Sequence, residues 1–177
     1  MRLPRAELTA ARLRAAFIAA ALSWAALLVA APFLASRAHA SALASALIVA
    51  VYGIGSLICH QLPERSYHLW AAQMPVCARC TGIYLGAVLG AVGARSLQAL
   101  GVRAFQASES GGRSAENLPP GRPRVLLLLA VTPSLATLAY EWTTGQMPSN
   151  AVRAAAGIPI GLVVAWLVVA AADNQVN

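Results

Sequence analysis

All three cysteines and two of the three histidines of this chain fall in one short, polar part of an otherwise apolar sequence. It reads Cys59-His60-Gln61-Leu62-Pro63-Glu64-Arg65-Ser66-Tyr67-His68 and resumes at Cys77-Ala78-Arg79-Cys80-Thr81-Gly82. Cys77 and Cys80 are three apart, so on a helix they share a face, which Thr81 and Tyr84 continue. A helix N-terminus lowers a thiol pKa, and Arg79 adds positive charge. Cys59 and His60 close the preceding apolar run and can turn onto this pair. Cys59, His60, Cys77 and Cys80 would then make a Cys₃His set, which suits zinc. His68 is the alternative fourth donor. A Cys-x-x-Cys pair beside a third cysteine also fits thiol–disulfide exchange, with a mixed disulfide passed to the third thiol. A structural role stands beside both, because unpaired cysteines are often buried as small hydrophobes.

The elements that must position these groups are apolar. The chain has 177 residues, 59% hydrophobic and 11% charged, where soluble domains carry about 25% charged residues. Five apolar runs, 15–35, 40–58, 77–94, 124–142 and 151–172, each approach the length needed to cross a hydrocarbon core of about 30 Å. The expectation is an all-α polytopic bundle of about five spans in the cell (inner) membrane. Residues 1–39 would form a basic flank and first transmembrane helix, and 40–177 the main membrane domain. Ala38-His39-Ala40 has the small-x-small pattern of a signal-peptidase site. The first run exceeds the roughly 7–15 residues of a signal-peptide core, so a retained helix is expected.

Pro63 and Pro75 argue against a helix through 59–76, which reads as a loop at the membrane surface or partly re-entrant. Residues 95–124 are rich in Gly, Ser and Pro and read as a mobile loop without chemistry. Gly82, Gly86 and Gly90, and Gly157 and Gly161, form small-xxx-small ridges, which predict close helix packing and a helix-mediated oligomer. The net charge of +7 comes from arginine alone. Because the arginines flank apolar runs, they point to lipid headgroups rather than nucleic acid.

Five crossings would place the N-terminus, 59–76 and 143–150 on one side. Cys59, His60, Gln61, Glu64, Arg65, Ser66, His68, Cys77, Arg79, Cys80, Thr81 and Tyr84 would then share one membrane face with Glu141, Asn150 and Arg153. Arginines divide almost evenly between the two sides in that scheme. The basic N-terminal flank decides, and it puts the Cys-rich loop in the cytoplasm.

The stretch Cys-His-Gln-x-Pro-Glu-Arg-Ser at 59–66, followed by Pro-Val-Cys-Ala-Arg-Cys-Thr-Gly-Ile-Tyr at 75–84, resembles the signature of a family of small prokaryotic multi-pass membrane proteins classed as a domain of unknown function. The match is dense over 59–90 and thins through Pro133, Ser149, Asn150, Arg153, Gly157 and Gly161. It implies a helical membrane protein and brings no activity or substrate with it. In that family a later helix commonly carries an Asp-Gly pair after its proline; here Thr137 and Leu138 stand in those places. The N-terminal helix lies outside the resemblance.

Overall fold

A computed structural model of the protein describes residues 5–37, 41–99 and 122–174. Five helices make up most of it: α1 (Arg5–Ala35), α2 (Ala42–Ile58), α3 (Ala78–Ala99), α4 (Arg122–Thr144) and α5 (Asn150–Asn174). The expected helical class is the one found. Ala11–Ala35, Arg124–Thr144 and Asn150–Ala172 are long and apolar enough to cross a membrane. Ala42–Ile58 and Ala78–Ala94 are shorter apolar helices. With 17 residues, α2 is about 25 Å long, just under a core of about 30 Å.

The 59–76 stretch is more ordered than a loop. Helix α2 ends at Ile58, and a 3₁₀ turn at Pro63–Arg65 starts on the proline, whose fixed φ suits a first helical position. Two antiparallel strands follow, β1 (Ser66–Leu69) and β2 (Ala72–Cys77), with Ser66 opposite Cys77, His68 opposite Gln73 and Leu69 opposite Ala72. The two-residue connection is Trp70-Ala71, both at positive φ (52° and 63°). Such a turn normally takes Asn or Gly. Here Trp70 is held edge-on against Phe33 of α1, with ring centroids 5.1 Å apart. An isolated hairpin is marginal in water. This one is anchored by Met74 and Val76, buried in one cluster with Leu28 and Ala31 of α1 and Val51 of α2, and by buried Pro75, whose carbonyl meets Gly55 of α2.

The second packing unit is α3 against α5. A Cβ on Gly82, Gly86 or Gly90 would collide with the backbone of Ala154, Ile158 or Leu162, and one on Gly157 or Gly161 with that of Arg79 or Ile83. The ridges expected to drive oligomers are thus engaged inside the chain. Helix α4 packs on α5, and α1 packs on α2, α3 and β2. Helices take both ends of the segment expected to be mobile: α3 continues to Ala99, and α4 begins at Arg122. The rest of that segment lies outside the described residues, as does the Ala38-His39-Ala40 pattern.

Candidate functional site

The Sγ atoms of Cys59, Cys77 and Cys80 lie within 4.8 Å of one another, and no disulfide joins them. Each comes from a different local geometry. Cys59 follows the last turn of α2 in extended conformation, with its N–H still bonded to the Gly55 carbonyl. Cys77 ends β2, one residue before α3, so it is not on the helix as its spacing from Cys80 had suggested. Its amide donates to Cys59 Sγ at 3.1 Å. Cys80 lies in the first turn of α3. The Thr81 hydroxyl donates to the Cys77 carbonyl at 3.1 Å and closes that turn.

The Cys77 thiol is held down to about 5, chiefly because the Cys80 side chain hydrogen-bonds to its sulfur; burial works in the opposite direction. The backbone N–H groups of Cys80 and Arg79 and the Cys59 side chain add to the lowering. Cys77 therefore occupies the anion-binding end of α3, where unpaired N–H groups favour negative charge.

Neither histidine joins the thiols. Cys59 is buried and His60 exposed. In extended chain, successive side chains point to opposite sides, so ending the helix sends His60 away from the cysteines. His68 is on the exposed side of β1. The surroundings of the thiols are apolar instead: Leu28, Val51, Met74 and Val76 pack in one cluster with Cys59, and Trp24, Tyr67 and Tyr84 pack against it as Cys77 and Cys80 do. The Trp24 and Tyr84 rings meet edge to face at 5.9 Å. Trp24 carried no site signal in the sequence beyond being an aromatic in an apolar run.

Gln61 has a positive φ of 50° and a positioning role. Its side-chain amide donates to the carbonyls of Tyr52 (2.9 Å) and Pro75 (2.6 Å), tying α2 to β2. Gln73 Nε2 donates back to the Gln61 carbonyl at 2.5 Å, and the Tyr52 hydroxyl donates to the Gln73 carbonyl. Neither Gln73 nor Tyr52 carries a site signal in the sequence, since neither belongs to a spacing pattern. Glu64 is exposed.

A second polar cluster lies beside the first. One carboxylate oxygen of Glu141, on α4, accepts from Arg65 at 2.6 Å and from Arg153 of α5 at 2.9 Å. Glu141 and Arg153 are buried, and Arg65 is partly exposed. Asn150 Nδ2 donates to the carbonyl of buried Ser66 at 3.1 Å, which pins the start of α5 to the hairpin. Ser149 caps that helix by accepting from the Val152 amide. Arg79 turns to α4, where its guanidinium donates to Thr137 Oγ1 at 3.0 Å, while the Thr137 hydroxyl donates to the Ser134 carbonyl. Among the described residues the Nε–H groups of Arg65, Arg79 and Arg153 are buried without a partner. The side of the site nearest α4 is thus rich in positive charge.

Residues 59–167 match the family described as "Predicted membrane protein (DUF2085)". The chain belongs to this family. All three thiols and the Glu141 cluster lie in the matched segment, and α1 lies before it. An uncharacterized protein of Methanocaldococcus jannaschii is 40% identical over 62 residues, 35% of this chain and 40% of that protein. An uncharacterized protein of Methanothermobacter thermautotrophicus is 60% identical over 30 residues, 17% of this chain and 27% of that protein. Each match therefore spans less than half of the relative. No solved structure matches the chain.

Proposed function

We propose that the protein is a metal-holding module of the cell membrane, in which Cys59, Cys77 and Cys80 bind a soft cation such as zinc. The convergence of three sulfurs within 4.8 Å carries this reading. Zinc–sulfur bonds of about 2.3 Å would set the sulfurs roughly 3.8–4.0 Å apart, which requires only a small contraction. Thiolates are the ligating form; the end of α3 favours one on Cys77, while the hydrogen bond to Cys77 and burial push the Cys80 thiol up, so a bound cation would have to displace that proton. Three donors leave a fourth position for water or an incoming ligand, as in catalytic or exchanging sites rather than closed structural ones. Glu141, Arg65, Arg153, Asn150 and Ser66 act as the frame that fixes α4 and α5 against the hairpin.

The test is elemental analysis of purified protein, with thiols counted before and after chelation. Near-stoichiometric metal, lost in each single Cys→Ser variant, is expected. A metal-free protein with three freely titrating thiols would overturn the proposal.

One observation favours a second reading, a thiol–disulfide oxidoreductase. Cys77 is acidic and has two other thiols in reach. Its thiolate would attack a partner protein's disulfide and release one partner thiolate. A second cysteine of the cluster, deprotonated, would then displace the partner's other thiolate, leaving a disulfide here and a dithiol there. One disulfide per chain and no metal in the same assay selects this reading.

A further inference from the structure

The direction of each helix can be read from its contacts. Strand β2 runs alongside α2 in the same sense: Gln73 meets Tyr52, Pro75 meets Gly55 and Cys77 meets Cys59. Along α1, Phe33 meets Trp70 at the hairpin tip, and Trp24 meets Tyr84 of α3. Moving from the tip into α3 thus means moving back toward the start of α1. Further along α1 in that direction, Ala21, Ile18, Phe17 and Arg14 continue a half-buried face at helical spacing. Helix α3 packs on α5 and α1 and only lightly on β2, so it leads away from the hairpin.

Helices α3 and α5 are parallel, because Gly82, Gly86 and Gly90 meet Ala154, Ile158 and Leu162 in ascending order. Helix α4 opposes both: Ser134 bonds Ala156, whereas Glu141, later in α4, bonds the earlier residue Arg153. The first residues of α1, the last of α3 and α5 and the first of α4 therefore gather at one end. The hairpin tip, the end of α1, the start of α2 and the α4–α5 turn gather at the other, which is also the end nearer the thiols and Glu141. Helices α2 and α3 point the same way. Together α2 and the hairpin form an excursion that enters from the site's end and returns to it.

This arrangement redistributes the arginines. Arg2, Arg5, Arg12 and Arg14 flank or open α1, Arg95 is near the end of α3, Arg103 and Arg113 belong to the α3–α4 connection, and Arg122 and Arg124 open α4. The site's end has Arg37, Arg65, Arg79 and Arg153. Arg65 and Arg153 are already paired with Glu141. Arginine-rich flanks stay on the cytoplasmic side. We infer that the thiol site and the Glu141 cluster lie toward the exported face of the membrane, with the start of α1 and the end of α5 in the cytoplasm. This reverses the placement that five full crossings implied. Combined with the metal reading above, on which this one clause rests, it means that the soft cation is taken from outside the cytosol.

The test uses the full-length chain with one cysteine added at a time, labelled with a membrane-impermeant maleimide in intact and then permeabilised cells. The unmodified chain gives the background from the native thiols. Gln146→Cys, in the α4–α5 turn, should label in intact cells. Leu8→Cys, exposed at the start of α1, should label only after permeabilisation. A fluorescent protein fused after Asn177 should fluoresce as a cytoplasmic fusion does. Labelling of both positions from the same side would overturn the helix directions. Gln146→Cys protected with Leu8→Cys labelled would overturn the orientation. Neither readout depends on bound metal, so this inference and the metal reading can fail separately.

Discussion

The Cys80 thiol hydrogen-bonded to Cys77 makes one sulfur of the cluster an anion at pH values where ordinary thiols are protonated. The folded value of about 5 lies below the unfolded one. The stability this thiolate contributes is therefore complete above the ordinary thiol pKa, declines below it and is gone once pH falls through the folded value. Metal-free protein should react with iodoacetamide at about pH 6, and Cys77→Ser should abolish that acid-resistant fraction. Glu141 is the other decisive residue, because its single charge faces two guanidiniums. With Arg153 only 4% exposed, Glu141→Gln should cost about 3–5 kcal/mol, as expected when one partner of a buried pair is removed. Unfolding followed by circular dichroism in detergent would measure it. Arg79 is a contrasting case, with a hydroxyl where the family resemblance suggests a carboxylate. Thr137→Asp should add a charge-assisted bond and raise stability by about 1–2 kcal/mol in the same assay.

Helices α3 and α5 approach closely because five glycines leave room for backbone to meet backbone. Gly86→Leu or Gly161→Leu should force them apart and lower stability by several kcal/mol, whereas Gly93→Ala, which meets open space, should be neutral or raise it by up to about 1 kcal/mol. A thermal-shift series would separate the three. The sequence announced this contact, since small residues at four-residue intervals leave a trace of their own. It also announced the five helices through their apolar runs. It hid the hairpin, because the turn uses Trp70-Ala71 in place of Asn-Gly and depends on Phe33, distant in sequence, to hold it. The thiols were legible as a group, but their separation from His60 was not. That outcome depends on where α2 stops and on the extended backbone of Cys59, which no residue type specifies. The Glu141 cluster was half legible: the residues could be named, but the sharing of one oxygen by Arg65 and Arg153 required the fold.

On the scale of the whole molecule, α1 joins the two packing units, meeting the hairpin through Phe33 and α3 through Trp24. Trp24, Leu28 and Ala31 also form an apolar wall in the cluster that holds Cys59 and packs on Cys77 and Cys80. Trp24→Ala should loosen that wall, and a local weakening of about 1.4 kcal/mol would raise the rate of thiol labelling roughly tenfold. Stopped-flow labelling of metal-free protein would show the change. The three thiols belong to the family-matched segment, while the helix that packs on them precedes it. Evolution therefore has two separate handles on this protein. On the metal reading proposed above, substitutions in α1 would set how long a captured cation is retained, from brief exchange to long storage, while the chemistry that captures it stays unchanged.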